Sequence, residues 1–284
     1  SCTLSIRRRN AMPNTRHLVC LSFDFDAVSL WMAWDLTSQT NISRGEFGVV
    51  GVERILKLLK RHDIQATFFV PGVTAKTYPE CCGDIADAGH EISHHGYTHV
   101  SPVTMSYQEE LDALRRGNEA IRRISGRDAV GYRSPAWDLS PNSVNLLLQE
   151  GFIYDSSMMA HDYMPYRARS GDVVQSDAIR FGEETDLIEM PISWSNDDFP
   201  HFEYVRGGGL QNADHVMANW LGDFRFMIAD TDWGVMTYTF HPFVIGRGHR
   251  MLMLAEFINR LSDLGADFVT AETAVREFKQ KEIP

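Results

Sequence analysis

His17-Leu-Val-Cys-Leu-Ser-Phe23, followed by Asp24, Phe25 and Asp26, is the stretch from which the fold is read. Its apolar run has little polar interruption, so it reads as a strand buried on both faces, the habit of parallel sheets. Two aspartates stand at its carboxyl end. Similar short runs recur at Ile64–Val70, His90–Ile92, Ala129–Tyr132, Phe152–Tyr154, Leu187–Met190, Gly234–Phe240 and Asp267–Val269. Helical spacing fills most of the gaps: Val52, Ile55, Leu56 and Leu59 share one face, as do Leu111, Leu114, Ile121 and Ile124. Further helices are predicted at about 77–88, after Ser140-Pro141, around 212–229 behind the Gly207–Gly209 loop, around 249–264 and at the end. Ser106 and Glu109 have capping-box spacing. Residues 27–47 hold no clean period, and Ser43-Arg-Gly-Glu-Phe-Gly48 reads as a loop. Residues 1–16 are polar and read as an arm. Strand and helix alternate throughout, which argues for one α/β domain, 17–284, built on a parallel sheet, open or closed.

The 284 residues are 44% apolar and 23% charged, an ordinary globular composition. Lys and Arg number 27 against 38 Asp and Glu, a net charge of −11, which disfavours a nucleic-acid surface or docking on anionic lipid. No apolar run approaches the ~18 residues of a membrane span. Ser1–Asn10 carries Arg7, Arg8 and Arg9 without an apolar core, so a cytoplasmic location is expected. Cys2, Cys20, Cys81 and Cys82 lack zinc-knuckle spacing and are expected to be free thiols.

Polar residues cluster where the predicted strands end: Asp24 and Asp26, His95 and His99, Arg133, Asp155, His241. In a β/α barrel that end carries the active site. His95 and His99 are four apart, a spacing that converges two imidazoles on a metal if it lies on a helical turn, and Asp26 offers a third ligand. Two histidines and a carboxylate leave coordination positions open for water and substrate. Asp24 shares a strand face with Asp26 and is placed to act as a base. Arg133 would aim that carboxylate, and His241 would protonate a leaving nitrogen. His90 and His94 read as structural or as supporting the ligands from behind. Trp31, Trp34, Tyr97, Trp137 and Trp194 are expected in the core or in a pocket wall, ahead of sugar stacking.

These motifs together resemble the polysaccharide deacetylase, or NodB-homology, family from about His17 to Thr270. Ser22–Asp26 resembles its first motif, Gly89–His99 its second and Arg133-Ser-Pro135 its third. Tyr154-Asp155-Ser-Ser157 stands where the fourth motif's Asp is expected, and His241 resembles the fifth. The two aspartates of the first motif are usually adjacent; here one residue separates them. That spacing, with Ser43–Gly48, Glu189–Trp194 and Phe240–Gly246, is similar to a branch holding allantoinase-like, cyclic-imidase-like and peptidoglycan-deacetylase-like proteins.

The resemblance implies a distorted, incomplete (β/α)7-type barrel. It implies a divalent ion, zinc ahead of cobalt, nickel, manganese or iron, on Asp26, His95 and His99, with Asp24 as base, Arg133 orienting it and His241 as acid. Glu46, Asp155, Trp194, Tyr132 and Pro135 are expected to line the pocket or to support these groups from behind. A homo-oligomer, a tetramer by resemblance, is expected. The reaction expected is hydrolysis of a non-peptide C–N bond, first of a small cyclic imide, amide or ureide. The alternatives are N-deacetylation of an N-acetylglucosamine polysaccharide or peptidoglycan, and a non-catalytic metal- or sugar-binding module.

Overall fold

The computed structural model describes residues 15–204 and 209–282. Most of the predicted arm, with Cys2, and two glycines of the predicted loop at 207–209 lie outside these. Strand β1 (Arg16–Asp24) is buried at every position after Arg16, and so takes in the last residue assigned to the arm.

The region predicted as loop, 27–47, is helical instead: α1 (Ser29–Ala33) and α2 (Gln39–Arg61). Gly45, Gly48 and Gly51 recur every three residues along the buried side of α2. A Cβ on Gly45 would stand 2.5 Å from the Ala27 carbonyl oxygen, and one on Gly51 2.0 Å from that of Pro242. Backbone-to-backbone approach therefore demands glycine here and outweighs its poor helix propensity.

Next come β2 (Thr67–Val70), α3 (Gly72–Thr77), α4 (Pro79–Asp87) and β3 (Glu91–His94). Helix α5 (Tyr107–Ser125) opens on the predicted capping box: Ser106 Oγ accepts from the Glu109 amide, and the Glu109 carboxylate accepts from that of Ser106. Then follow β4 (Gly131–Tyr132), α6 (Ser143–Gln149) and β5 (Tyr154–Asp155). An excursion without a sequence signal adds β6 (Tyr166–Ser170), β7 (Val173–Val174) and β8 (Ile179–Arg180) before β9 (Glu183–Glu189). The chain closes with α7 (Asp198–Phe202), α8 (Ala213–Asp230), β10 (Trp233–Phe240), α9 (Pro242–Ile245), α10 (Gly248–Asp263), β11 (Asp267–Phe268) and α11 (Ala271–Glu282).

The main sheet runs β10-β1-β2-β3-β4-β5-β9-β6, parallel except for β6, which is antiparallel to β9. On its second side β1 pairs β11 at Leu18 and Val19 and β2 from Ser22 to Asp24. The sheet curls into a half-barrel with β10 and β6 as its ends, the distorted, incomplete barrel that the sequence implies.

Alternation along β1 separates two cores. Val19, Leu21 and Phe23 face the helices, where Phe23 stacks on Phe68 at 4.9 Å. Each such fully buried ring contributes roughly 2–3 kcal/mol. Leu18 and Cys20 face the inside of the curl with Phe69, Tyr154, Ile188 and Val235, and α11 packs Ala271, Ala274 and Val275 against them. Glu91 fixes α11 there by accepting from the Glu272 amide, Thr67, Ser93 and Tyr154. The inward column of β1 thus runs Leu18, Cys20, Ser22, Asp24, apolar at the α11 end and polar at the other.

Cys20, Cys81 and Cys82 are free thiols. No helix among the described residues is long and apolar enough to cross a membrane.

Candidate active site

The polar end of that column meets the carboxyl ends of β3, β4 and β10. Asp24, Asp26, His95, His99, Arg133 and His241, scattered over most of the chain, converge there, each less than one-tenth exposed.

His95 Nε2 lies 3.3 Å from Asp26 Oδ1, and His99 Nε2 lies 3.4 Å from Asp26 Oδ2. The donor atoms of the three residues all fall within 4.8 Å of one another. His95 Nδ1–H donates to the Arg133 carbonyl oxygen at 2.7 Å, which leaves the Nε2 lone pair directed at Asp26. Asp26 Oδ1 is buried without a hydrogen-bond partner. Two imidazole nitrogens and a carboxylate, one oxygen of it unsatisfied, are a donor set that suits a divalent transition metal. Burial pushes the Asp26 carboxyl up, but His99 and His95 outweigh it and hold it well below the usual carboxylate range.

The expected helical turn between the two histidines is absent. His95 follows the end of β3, and the chain turns through Gly96 (φ 70°) to His99 (φ 59°) outside any helix. A left-handed histidine is strained, and such strain gathers at functional sites. The rings sit 5.0 Å apart. His90 and His94 lie outside the donor set: each Nδ1 accepts a backbone N–H, and burial brings both down to about 4, which favours the neutral ring.

Arg133 is fully buried. Its Nη1 donates to Asp24 Oδ1 at 2.7 Å and to Ser22 Oγ at 2.9 Å, and its Nε and Nη2 donate to Ser156 O and Oγ. The guanidinium lies 4.1 Å over the Phe69 ring. Asp24 Oδ1 is thereby fixed, while Oδ2 has no hydrogen-bond partner. That oxygen stands 3.9 Å from His95 Nε2 and 4.0 Å from His241 Nε2.

His241 follows β10. Its Nδ1–H donates to Asp198 Oδ1 at 2.8 Å, its backbone N–H donates to both Asp198 oxygens, and Asp197 Oδ1 is 3.4 Å away. Burial depresses the imidazole, but Asp197 and Asp198 outweigh it and hold His241 well above the usual histidine range. The sequence assigned the fourth-motif carboxylate to Asp155. Asp155, expected to line the pocket or to support it from behind, is outside the cavity lining and buried beside Glu189 and Ser157; the carboxylates at His241 are Asp197 and Asp198. The available signal was the doubled acid in Ser193-Trp-Ser-Asn-Asp-Asp-Phe199, in the segment that follows β9.

A cavity of about 420 Å³ opens over Asp24, Asp26, His95, His99 and His241, walled by Leu30, Trp34, Trp137, Trp194 and Phe199. Trp137 and Trp194 stack at 4.2 Å, and Ala136 and Trp137 both hold positive φ at that wall. Of the residues expected to line the pocket or to support it from behind, Trp194 is in the cavity lining and Glu46, Tyr132 and Pro135 are not. Glu46 is exposed on α2, the segment that reads as a loop in the sequence. Tyr132 faces the helices against His94, and Pro135 packs on Gly96. Trp31 is buried under Arg44, and Tyr97 lies under Arg116, both away from the cavity.

Residues 32–154 match the family described as Polysaccharide deacetylase. The chain is 34% identical to a peptidoglycan deacetylase of Helicobacter pylori, over 93% of this chain and 97% of that protein. It is 29% identical to a peptidoglycan deacetylase-like protein of Gibberella zeae, over 96% and 90% respectively. A Mycobacterium smegmatis crystal structure described as a polysaccharide deacetylase superposes with a TM-score of 0.84 at 30% identity, covering 99% of this chain and 97% of that one. An allantoinase shares the fold, with a TM-score of 0.79 at 19% identity over 95% and 92%. On the spacing of its motifs, the half-barrel and these likenesses, the chain belongs to the polysaccharide deacetylase family.

Proposed function

We propose that this protein hydrolyses the acetamide C–N bond of an N-acetylated amino sugar in a glycan, with a divalent ion, zinc first, held by Asp26, His95 and His99. The observation that carries the reading is the placement of Asp24 Oδ2. It is unpartnered, beside the donor set and 4.0 Å from His241 Nε2, at the floor of one aromatic-walled cavity. Base, acid and donor set thus meet at one point.

The chain's own groups divide the work. Asp24, aimed by Arg133, accepts a proton from the attacking water, whose oxygen bonds to the amide carbon. His241 gives its Nε2 proton to the nitrogen as the C–N bond breaks, leaving a free amine and acetate. Asp198 holds the imidazole by Nδ1 and favours its charged form. The tryptophan walls exclude water and offer stacking faces for sugar rings. The bound ion supplies Lewis-acid polarisation of the carbonyl.

The relatives' names favour the N-deacetylase reading over the cyclic imide or ureide expected first. The smaller substrate keeps one supporting observation, the modest cavity volume of about 420 Å³ lined by Trp34, Trp137 and Trp194. The test is a panel of chitooligosaccharides and peptidoglycan fragments against succinimide, hydantoin, dihydrouracil and allantoin, with metal-replete protein. Acetate release from the sugars is expected. Ring opening of a cyclic amide with no acetate from any sugar would overturn the reading.

A further inference from the structure

Behind the base lie two carboxyls that the reaction above does not use. Asp155 and Glu189 are Cα partners on the parallel strands β5 and β9, and both are fully buried. Glu189 Oε1 accepts the Ser157 and Met158 amides at 2.8 and 2.7 Å. Asp155 Oδ1 accepts Ser157 Oγ at 2.7 Å, and that oxygen accepts the Ser134 amide at 2.8 Å. The remaining two oxygens, Asp155 Oδ2 and Glu189 Oε2, have no hydrogen-bond partner. A buried carboxylate oxygen left unsatisfied is costly, and two side by side repel. One proton placed between them satisfies both.

The turn these carboxyls hold is the one that seats Arg133. Ser156 takes Arg133 Nε and Nη2, and Ser134 follows Arg133 in the chain. We propose that Glu189 Oε2 and Asp155 Oδ2 share one proton in a carboxyl–carboxylate hydrogen bond, and that this pair fixes the 155–158 turn and so positions Arg133 behind Asp24. The proposal rests on the reading of Asp24 as base. Glu189 and Asp155 are positioning residues and stand outside the cavity lining. Burial pushes both carboxyls up, which favours one shared proton over two charges. The other titratable groups facing the pair are Arg133 and Tyr132 from β4 and Tyr166 from β6.

Infrared difference spectra between the native protein and Glu189→Gln test the proton directly, without substrate. A carboxylic-acid carbonyl band present at neutral pH in the native protein and lost in the variant is expected, because glutamine donates to Asp155 without a titrating proton. No difference would overturn the proposal. With the sugar substrate, Glu189→Ala is expected to lower kcat roughly 100-fold at little-changed KM, the size of a small misplacement of a catalytic group, with Glu189→Gln recovering most of it. If the alanine variant does not fold, Ser157→Ala, which cuts the Asp155–Ser134 link, is expected to lower kcat in the same sense. Unchanged kcat in every folded variant would overturn the positioning role. A band without turnover of any panel substrate would sustain the proton and reject the functional reading instead.

Discussion

Arg133 Nη1 holds Asp24 by Oδ1 alone, at 2.7 Å, and leaves Oδ2 free to face the histidines. Both groups are buried, so this charge pair carries position as well as attraction. Removing one member leaves the other uncompensated. Asp24→Asn, which keeps the shape and loses the base, is expected to lower kcat about 10²- to 10⁴-fold while metal content stays near native. Metal analysis beside the kinetics checks it. Metal lost in step with activity would show that Asp24 and Asp26 do not divide the work as proposed.

The His241–Asp198 contact gives a pH test. The two acids hold His241 well above the usual histidine range. Its protonated form is the acid, so activity persists until pH rises through that raised value and then falls. Asp198→Asn removes one carboxylate and the imidazolium loses support. The basic limb of the kcat profile is expected to move to lower pH, with a smaller movement in the acidic limb. A basic limb that stays in place would assign it to another group.

Metal removal tests the donor set. Chelation is expected to abolish turnover and lower Tm while far-UV circular dichroism is retained, because the half-barrel core is independent of the three residues. Restoring the ion at 1,000 times its Kd should return about 4 kcal/mol. His99→Ala and Asp26→Asn are each expected to lower bound metal. Native metal content in both would refute the assignment.

Gly51→Ala tests how the helix layer places the acid. In an open helix the change would stabilise by about 1 kcal/mol. Here the new methyl would meet the Pro242 carbonyl at 2.0 Å, next to His241. The clash is expected to dominate, costing roughly 1–3 kcal/mol in urea unfolding and lowering kcat as His241 shifts. A stabilised, fully active variant would contradict the contact.

The aromatic wall predicts a binding effect. Trp194 is 47% exposed and stacks on Trp137 at the cavity mouth. Trp194→Ala is expected to raise KM for the glycan about 5- to 10-fold, matching the ~1 kcal/mol of an aromatic contact, with kcat less affected. An unchanged KM would place the substrate elsewhere.

Much of the candidate site was legible because its residues sit at strand ends, where a buried apolar run stops at a polar residue. Asp24, Asp26, Arg133 and His241 are of that kind. The carboxylate of His241 was not legible. Asp198 lies 43 residues from it in sequence, at the start of a short helix rather than at a strand end, and only the doubled acid at 197–198 marks it. Residues 27–47 misled for a different reason. Glycine normally weakens a helix, and only the backbones of Ala27 and Pro242 pressing on α2 make it the residue that fits.

Short apolar runs that stop at polar residues, alternating with helical periods, thus determined the parallel strands, their order along the chain and the end at which chemistry would gather, since burial pattern is a property of neighbours in sequence. Only the curl of the sheet decided which acids meet which bases. It brought Asp198 to His241, seated Arg133 on the turn held by Asp155 and Glu189, and turned His95 and His99 toward Asp26 through a strained loop. Those pairings depend on distances between chain-remote groups in a medium that screens charge weakly, and no local pattern encodes them.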